Sequence, residues 1–361
     1  MKTEWDNITL ETVTPIHIGN GEKYTFLDYF VDGGKANILN TDSIFGSVNE
    51  DIEVINNLSK DIEEKIINGQ AEINVKDFFR GYDVDVSKHI IKTIKTDIEH
   101  SRRVEVKQFI NQNGRCYFPG SSIKGAIRTA YIFDYFNDGR NINELVSVLE
   151  DANVRIKKGI KPHLIKFSEI EEIAIGKIQD DCFRHLLVSD SEFITDGQMS
   201  MIETKRYSNE KKKYKEHSVY LEVLDANESV NFKIKINKGF GKTIKDIRNS
   251  LIKLSKTVSD YEKNNPNNPV FLKEFYEYLS KDIHENETVY MNLGFGGGYL
   301  PKTIYLLLPK YGKDLNIIKE ILPFSKDKQR KRELVNAFTD FPMTKTVYNE
   351  EPIGWVKLNF P

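Results

Sequence analysis

The chain has 361 residues, 39% of them hydrophobic and 29% charged, with a formal net charge of −2. That is too much apolar material for a disordered polymer, and a chain this long can bury cores without disulfide staples. The near balance of charge excludes a globally basic nucleic-acid binder, so any such role must rest on local patches.

Cys116 and Cys182 are far apart and form no CxxC pair, which excludes a disulfide scaffold and a zinc ribbon. MKTEWDNITLETV lacks the apolar core of a signal peptide, and no apolar run reaches membrane-spanning length. A soluble cytoplasmic protein is expected.

In chain order, NITLETVTPIHIG predicts a strand and NGEKYT a turn, followed by a hairpin in FLDYFVDGGKANIL around Gly33 and Gly34. Ile52, Ile55, Leu58, Ile62 and Ile66 fall near helical spacing. RRVEVKQFI reads as a strand and NQNGR as a turn. FPGSSIKGAIRTAYIFDYF (118–136) reads as a helix burying Ile123, Ile127, Tyr131 and Phe133, with Ser121 or Ser122 as its N-cap. VRIKKGIKPHLIKF (154–167) is loop or edge, and CFRHLLVSDSEF a new strand. KRYSNEKKKYKEH (205–217) interrupts the order with charge. SVYLEVLDANESVNFKIKI predicts two strands around a turn at Asp225–Glu228. Helices near 243–262 and 270–282 flank the breaker NNPNNP. TVYMNLGFGGGYLPKT is a strand entering a glycine-rich loop, and GWVKLNF a last strand. Strand hairpins with helices between them occur twice around a break near residue 180. The expected class is therefore α+β, in two domains with antiparallel sheets, 1–180 and 181–361.

The helix at 118–136 poses a question of charge. Lys124 and Arg128 lie on adjacent turns of one face near its start, where the helix dipole is already positive. Either they are an ordinary exposed flank, or an anion such as phosphate joins them beside Ser121 and Ser122. Gly294, Gly296, Gly297 and Gly298 likewise allow two readings. They form a flexible turn, or a backbone that approaches an anionic ligand with Lys302 nearby. The loop is no Walker A motif, because Pro301 precedes Lys302 and Thr303, and Tyr299 spoils GxGxxG. GFGKT at 239–243 lacks the first glycine of a Walker A loop, Ile236 standing in its place, so no nucleotide cofactor is expected.

Lys205, Arg206, Lys211 and Lys212, interleaved with Tyr207 and Tyr214, suit single-stranded nucleic acid or a solvated loop. KDKQRKR at 326–332 is a weaker basic run. His17 titrates in the range of a general base but has no partner adjacent in sequence, and a structural histidine at a strand end is the other reading. No HExxH or paired-ligand spacing exists, so no metal site is expected.

TPIHIGNGE after the first strand, FPGSSIKGAIRTA at a helix start and NLGFGGG late in the chain together resemble the RAMP superfamily of CRISPR–Cas proteins. DCFRHLLVSDSEF and the closing PIGW narrow the likeness to one subunit type of the type III-A Csm complex, over most of the chain. The resemblance implies tandem ferredoxin-like (RRM-like) domains that bind CRISPR RNA without catalysis. It implies a subunit that caps the filament of repeated backbone subunits near the guide 3′ end and supports guide maturation in antiviral defence. Its partners would be CRISPR RNA, the other Csm-complex subunits (the repeated backbone subunit above all) and host ribonucleases. Gly19, Gly21, Ser121, Ser122, Lys124, Arg128, Lys205, Arg206, Lys211, Lys212, Gly294, Gly296, Gly297, Gly298 and Lys302 are then the RNA-binding candidates. Some relatives cut RNA with a histidine near the first strand, in a place comparable to His17. A metal-independent endoribonuclease using His17 is therefore the rival reading.

Overall fold

The computed structural model describes residues 4–48, 52–67, 74–98, 104–139, 141–160, 168–209, 211–313 and 344–361. The basic run at 326–332 and residues 161–167 lie outside them.

Strand β1 (Asp6–Thr12) buries Ile8, Leu10 and Thr12 and turns the residues between them outward, the period of a half-buried strand. The segment expected to turn next is instead strand β2 (Gly19–Tyr24), exposed along nearly all its length. With no apolar alternation, nothing in its side chains announces a strand. The expected hairpin is β3 (Tyr29–Asp32) and β4 (Lys35–Leu39), with Gly33 and Gly34 both at positive φ as the tight two-residue turn requires. Helices α1 (Thr41–Phe45), α2 (Ile52–Ile67) and α3 (Val75–Arg80) follow, and α1 and α3 enclose with this hairpin a small separate core around Ile44, Val75 and Phe79.

Strands β5 (Ile90–Thr96) and β6 (Val106–Phe109) lead to a short ribbon, β7 (Asn111–Gln112) and β8 (Arg115–Cys116), and then to α4 (Gly120–Phe136). Ile123, Ile127 and Phe133 of α4 are buried as expected, and Tyr131 is partly so. Next come α5 (Ile142–Lys157), which takes in the start of the segment expected as loop or edge, α6 (Ser168–Ile175) and β9 (Leu186–Val188). Strand β10 (Met199–Ser208) runs into the charge run rather than being interrupted by it. β11 (Lys213–Tyr214) folds back upon it, pairing Tyr207 with Tyr214. β12 (Val219–Leu224), β13 (Ser229–Ile236), α7 (Ile244–Asn264), α8 (Val270–Asn286) and β14 (Val289–Asn292) match the expected order. The chain finishes with β15 (Thr344–Tyr348), β16 (Glu351–Pro352) and β17 (Trp355–Asn359).

Two main sheets result. The first has the order β14-β17-β1-β13-β9, antiparallel throughout. Taken with α4 and α7, the sequence β1-α4-β9-β13-α7-β14 is the β-α-β-β-α-β of a ferredoxin-like unit, with β17 inserted between its first and last strands. Helix α4 packs on α7, and the buried core between helices and sheet includes Phe133, Leu251, Tyr276 and Trp355. The second sheet follows the path β2-β6-β12-β10-β5-β4-β3, with β11 and β15 added to the far end of β10. It is mostly antiparallel, although β6–β12 and β5–β10 run parallel. The α+β class with antiparallel-rich sheets of ferredoxin-like type is the one found. Both sheets take strands from either side of residue 180.

Candidate nucleic-acid interface

After β1 the chain passes through the centre of the molecule, where three sequence motifs meet. Ile16 exchanges backbone hydrogen bonds with Leu224 at 3.0 and 2.9 Å. The Gly354 N–H donates to the Pro15 carbonyl at 3.0 Å, and the Leu293 N–H to the Gly354 carbonyl at 2.7 Å. The Phe295 N–H donates to the His17 carbonyl, also at 2.7 Å. TPIHIG, NLGFGGG and PIGW are therefore laced together by their own backbones.

This lacing explains the glycines. Gly294 has φ +68°, and a Cβ there would sit 2.1 Å from the His17 carbonyl oxygen. At Gly297 it would meet the Asn292 side chain at 1.7 Å, and at Gly296 the Ile353 side chain at 2.3 Å. Gly298 and Gly21 face open space instead. The Lys302 ammonium donates to the Gly294 carbonyl, closing the loop on itself. The loop is pinned, so the flexible-turn reading gives way.

His17 is 1% exposed. Its Nδ1 lies 2.7 Å from the Glu222 carbonyl, which can only accept, so Nδ1 carries the proton. The rings of Phe109 and Phe295 present edges to the imidazole at 6.1 Å, and a Cβ on Gly19 would lie 2.9 Å from Nε2. Burial, more than the neighbouring Lys107 charge, pushes the imidazole pKa down to about 4. A histidine depressed in the folded state resists protonation, so stability falls as pH drops from the ordinary value of about 6.5. At pH 5 the loss from this group is about 2 kcal/mol. Urea unfolding at pH 7 and pH 5 should show that increment in the wild type and not in His17→Asn, which keeps a donor for the Glu222 carbonyl. Equal pH sensitivity in the two proteins would sink the assignment.

Beneath this junction lies a buried ion pair. Lys92 Nζ is 2.7 Å from Glu222 Oε1, while Glu222 Oε2 accepts the Phe109 N–H at 2.8 Å. Glu222 is fully buried and Lys92 nearly so, and together they tie β5, β6 and β12.

The glycine loop lies over one face of the second sheet. Thr346, cross-strand partner of Arg206, has a methyl 3.3 Å from where a Gly296 Cβ would be. Alternation along β10 then divides the predicted cations. Arg206 shares the loop's face, while Lys205 shares the other with Tyr207 and Tyr214, its ammonium 6.0 Å from the Tyr214 ring. Lys211 and Lys212 are exposed at the hairpin tip. Two cations that the sequence reading passed over stand on the loop's face. Lys107 Nζ sits 4.1 Å above the Phe295 ring, and Lys23 is its direct cross-strand neighbour. Only strand register brings them together, and no local motif marks either.

At the start of α4, the question of charge is answered by the chain itself. Arg128 Nη1 is 2.7 Å from Asp181 Oδ2, and Nη2 is 2.9 Å from Glu171 Oε2. Arg128 is therefore no bare flank, since two acids of the chain itself already share its charge. The expected serine cap is corrected too. Pro119 occupies the cap position with no side-chain bond, and Asp190 accepts the Gly120 N–H at 2.7 Å. A Cβ on Gly120 would lie 2.4 Å from the Val188 carbonyl oxygen, so β9 presses directly on the helix start. Ser121 is exposed, Ser122 partly buried, and Lys124 half-buried. Burial lowers the Lys124 pKa. Ala126 and Pro301 line one small cavity, which makes this helix a neighbour of the segment after the glycine loop.

Among the described residues no cluster of histidine, cysteine and carboxylate side chains could hold a metal ion, and no helix is long and apolar enough to cross a membrane.

The chain belongs to the RAMP superfamily, whose family model matches residues 9–300. Among individual proteins it is similar to Csm5, the fifth subunit of type III-A Csm complexes. It is 34% identical to the CRISPR system protein Csm5 of Methanocaldococcus jannaschii, across 97% of this chain and 88% of that one. Csm5 of Streptococcus thermophilus is 25% identical, across 82% of this chain and 79% of its own length. Among solved structures, a chain of the cryo-EM Csm–crRNA–target RNA ternary complex of a type III-A CRISPR–Cas system superposes with a TM-score of 0.75. It shares 20% identity and covers 99% of this chain and all of that one. The crystal structure of T. onnurineus Csm5 superposes with a TM-score of 0.66 at 18% identity, covering 97% of this chain and 99% of that one.

Proposed function

We propose that this chain is a non-catalytic RNA-binding subunit of a type III-A Csm interference complex, working in the cytoplasm. It takes the position of the fifth subunit, capping the filament of repeated backbone subunits near the guide 3′ end. There it supports guide maturation, with host ribonucleases as the trimming partners. The observation that carries the RNA-binding reading is the junction of TPIHIG and NLGFGGG, a rigid backbone platform bordered by Arg206.

The proposed guide contacts around it are Gly19, Gly21, Gly298 and Arg206, joined by Lys205 on the opposite face of β10 and by Lys211 and Lys212 at the hairpin tip. Ser121, Ser122 and Lys124 form a second patch. Gly294, Gly296, Gly297, Lys302 and Arg128 act through the packing that holds these surfaces. The division into 1–180 and 181–361 is then one between chain halves, each of which contributes strands to both sheets. Sealing of His17 from solvent supports binding over catalysis, because a general base must reach the proton it removes.

The test is expression of the tagged chain with its complex subunits and a guide, followed by sequencing of the RNA that co-purifies. Enrichment of guide RNA is expected. An EDTA-resistant RNA cleavage present in wild type and lost in His17→Asn would replace this reading with the endoribonuclease.

A further inference from the structure

Like charges placed directly across a sheet repel, and unpaired neighbours of this kind are normally selected against. On β2 and β6 the register sets Lys23 opposite Lys107, so both side chains leave the same face. Lys107 does not turn away from that face. Its ammonium is held over the Phe295 ring of the glycine loop, at 4.1 Å. On the same face stands Arg206, whose cross-strand partner Thr346 lies beside Gly296. Glu105 pairs with Lys23 and is the acid that the described residues bring to this group. Three cations thus share one face with the loop, against a single paired carboxylate. Burial lowers the Lys107 pKa, and the Arg206 and Lys23 charges push it the same way.

We infer that Lys23, Lys107 and Arg206 form a phosphate site for single-stranded RNA, with the backbone phosphate as the anion that relieves their repulsion. This rests on the RNA-binding reading above and deepens it by naming what is recognised. The Phe295 face beside the site is already covered by Lys107, so no base can stack there. Recognition is of the phosphodiester chain and not of sequence.

The experiment compares the full chain with Lys107→Gln and with Lys23→Gln/Lys107→Gln. Fluorescence anisotropy reads binding to oligo(U) and to oligo(A) across a range of salt. Each lost phosphate contact should flatten the log–log salt slope by roughly 0.7. It should also weaken binding by roughly tenfold, equally for the two RNAs. Lys107→Gln should melt at the wild-type temperature or above it, since it removes a repulsion and leaves the Lys23–Glu105 pair in place. Inorganic pyrophosphate should raise the melting temperature of the wild type and leave the double variant unmoved, a readout that needs no RNA. Unchanged slopes and affinities overturn the site while wild-type RNA binding stands. Melting that falls in both variants makes the lysines structural and overturns it as well. A wild type that binds neither RNA overturns the RNA-binding reading itself, whatever pyrophosphate does.

Discussion

Gly294→Ala is expected to destabilise the protein by roughly 3 kcal/mol or more, while Gly298→Ala costs about 1–2 kcal/mol. Both glycines hold positive φ, at +68° and +91°, so both substitutions carry the backbone strain of a side chain in the left-handed region. They differ in what the new methyl meets. At 298 it meets nothing within 4 Å. At 294 it would collide with the His17 carbonyl at 2.1 Å, a backbone atom that cannot step aside without losing its bond from the Phe295 N–H. Urea unfolding of the two variants measures the difference, and equal costs would mean that the loop is not pinned to the TPIHIG segment. RNA affinity should follow the same order, because Phe295 and the Lys107 resting on it move with the loop.

Lys92→Met should be at least as damaging, at about 3–5 kcal/mol, because it strands the fully buried Glu222 without its cation. For a chain of this length that corresponds to a fall in melting temperature of roughly 4–7 °C. Burial by itself would lower the Lys92 pKa. The Glu222 charge and hydrogen bond, with Cys116, more than offset it and hold it above the ordinary lysine value. A lysine raised in this way contributes stability that is lost only as pH climbs through its folded value, so the Lys92 side of the pair keeps its charge up to at least about pH 10. Lys92→Met/Glu222→Gln should recover most of the loss, since glutamine still offers an oxygen to the Phe109 N–H. Thermal melts of the single and double variants decide it. A double variant no better than the single would show that the packing around Lys92, and not its charge, is what matters.

Much of the scaffold was legible in the sequence because its elements declare themselves locally. β1 alternates, β12 and β13 flank a visible turn, and α7 and α8 are separated by a proline-bearing breaker. What stayed hidden depends on partners far away in the chain. β2 is polar on both faces and becomes a strand only because β6 pairs with it. The cap of α4 comes from Asp190, some seventy positions on, and nothing near Ser121 hints at it. That Arg128 pairs with Glu171 and Asp181 was hidden as well, because both acids lie beyond the reach of local pattern. The glycines of the late loop were legible as a site of close approach. That the thing approached is the His17 carbonyl was not. The pairing of Lys23 with Lys107 shows the same limit, since a register across more than eighty residues leaves no periodic trace.

The place of β1 in the first sheet bears on how the protein is made. Leu10 is paired on one side with Val230 and on the other with Leu358. At ordinary ribosomal speeds the second partner emerges roughly 20–70 s after β1 itself. During that interval β1 can join β13 but offers a bare edge where β17 belongs, and β14 lacks the strand it pairs with. Exposed edges of this kind recruit other strands, so the nascent chain is open to aggregation, and in need of a chaperone, until β17 has emerged. Insertion of Trp355–Asn359 between β1 and β14 closes both edges in one event. Translation that halts short of this strand leaves both edges bare, so proteases and chaperones can tell such a copy from one that carries β17 before it meets any partner.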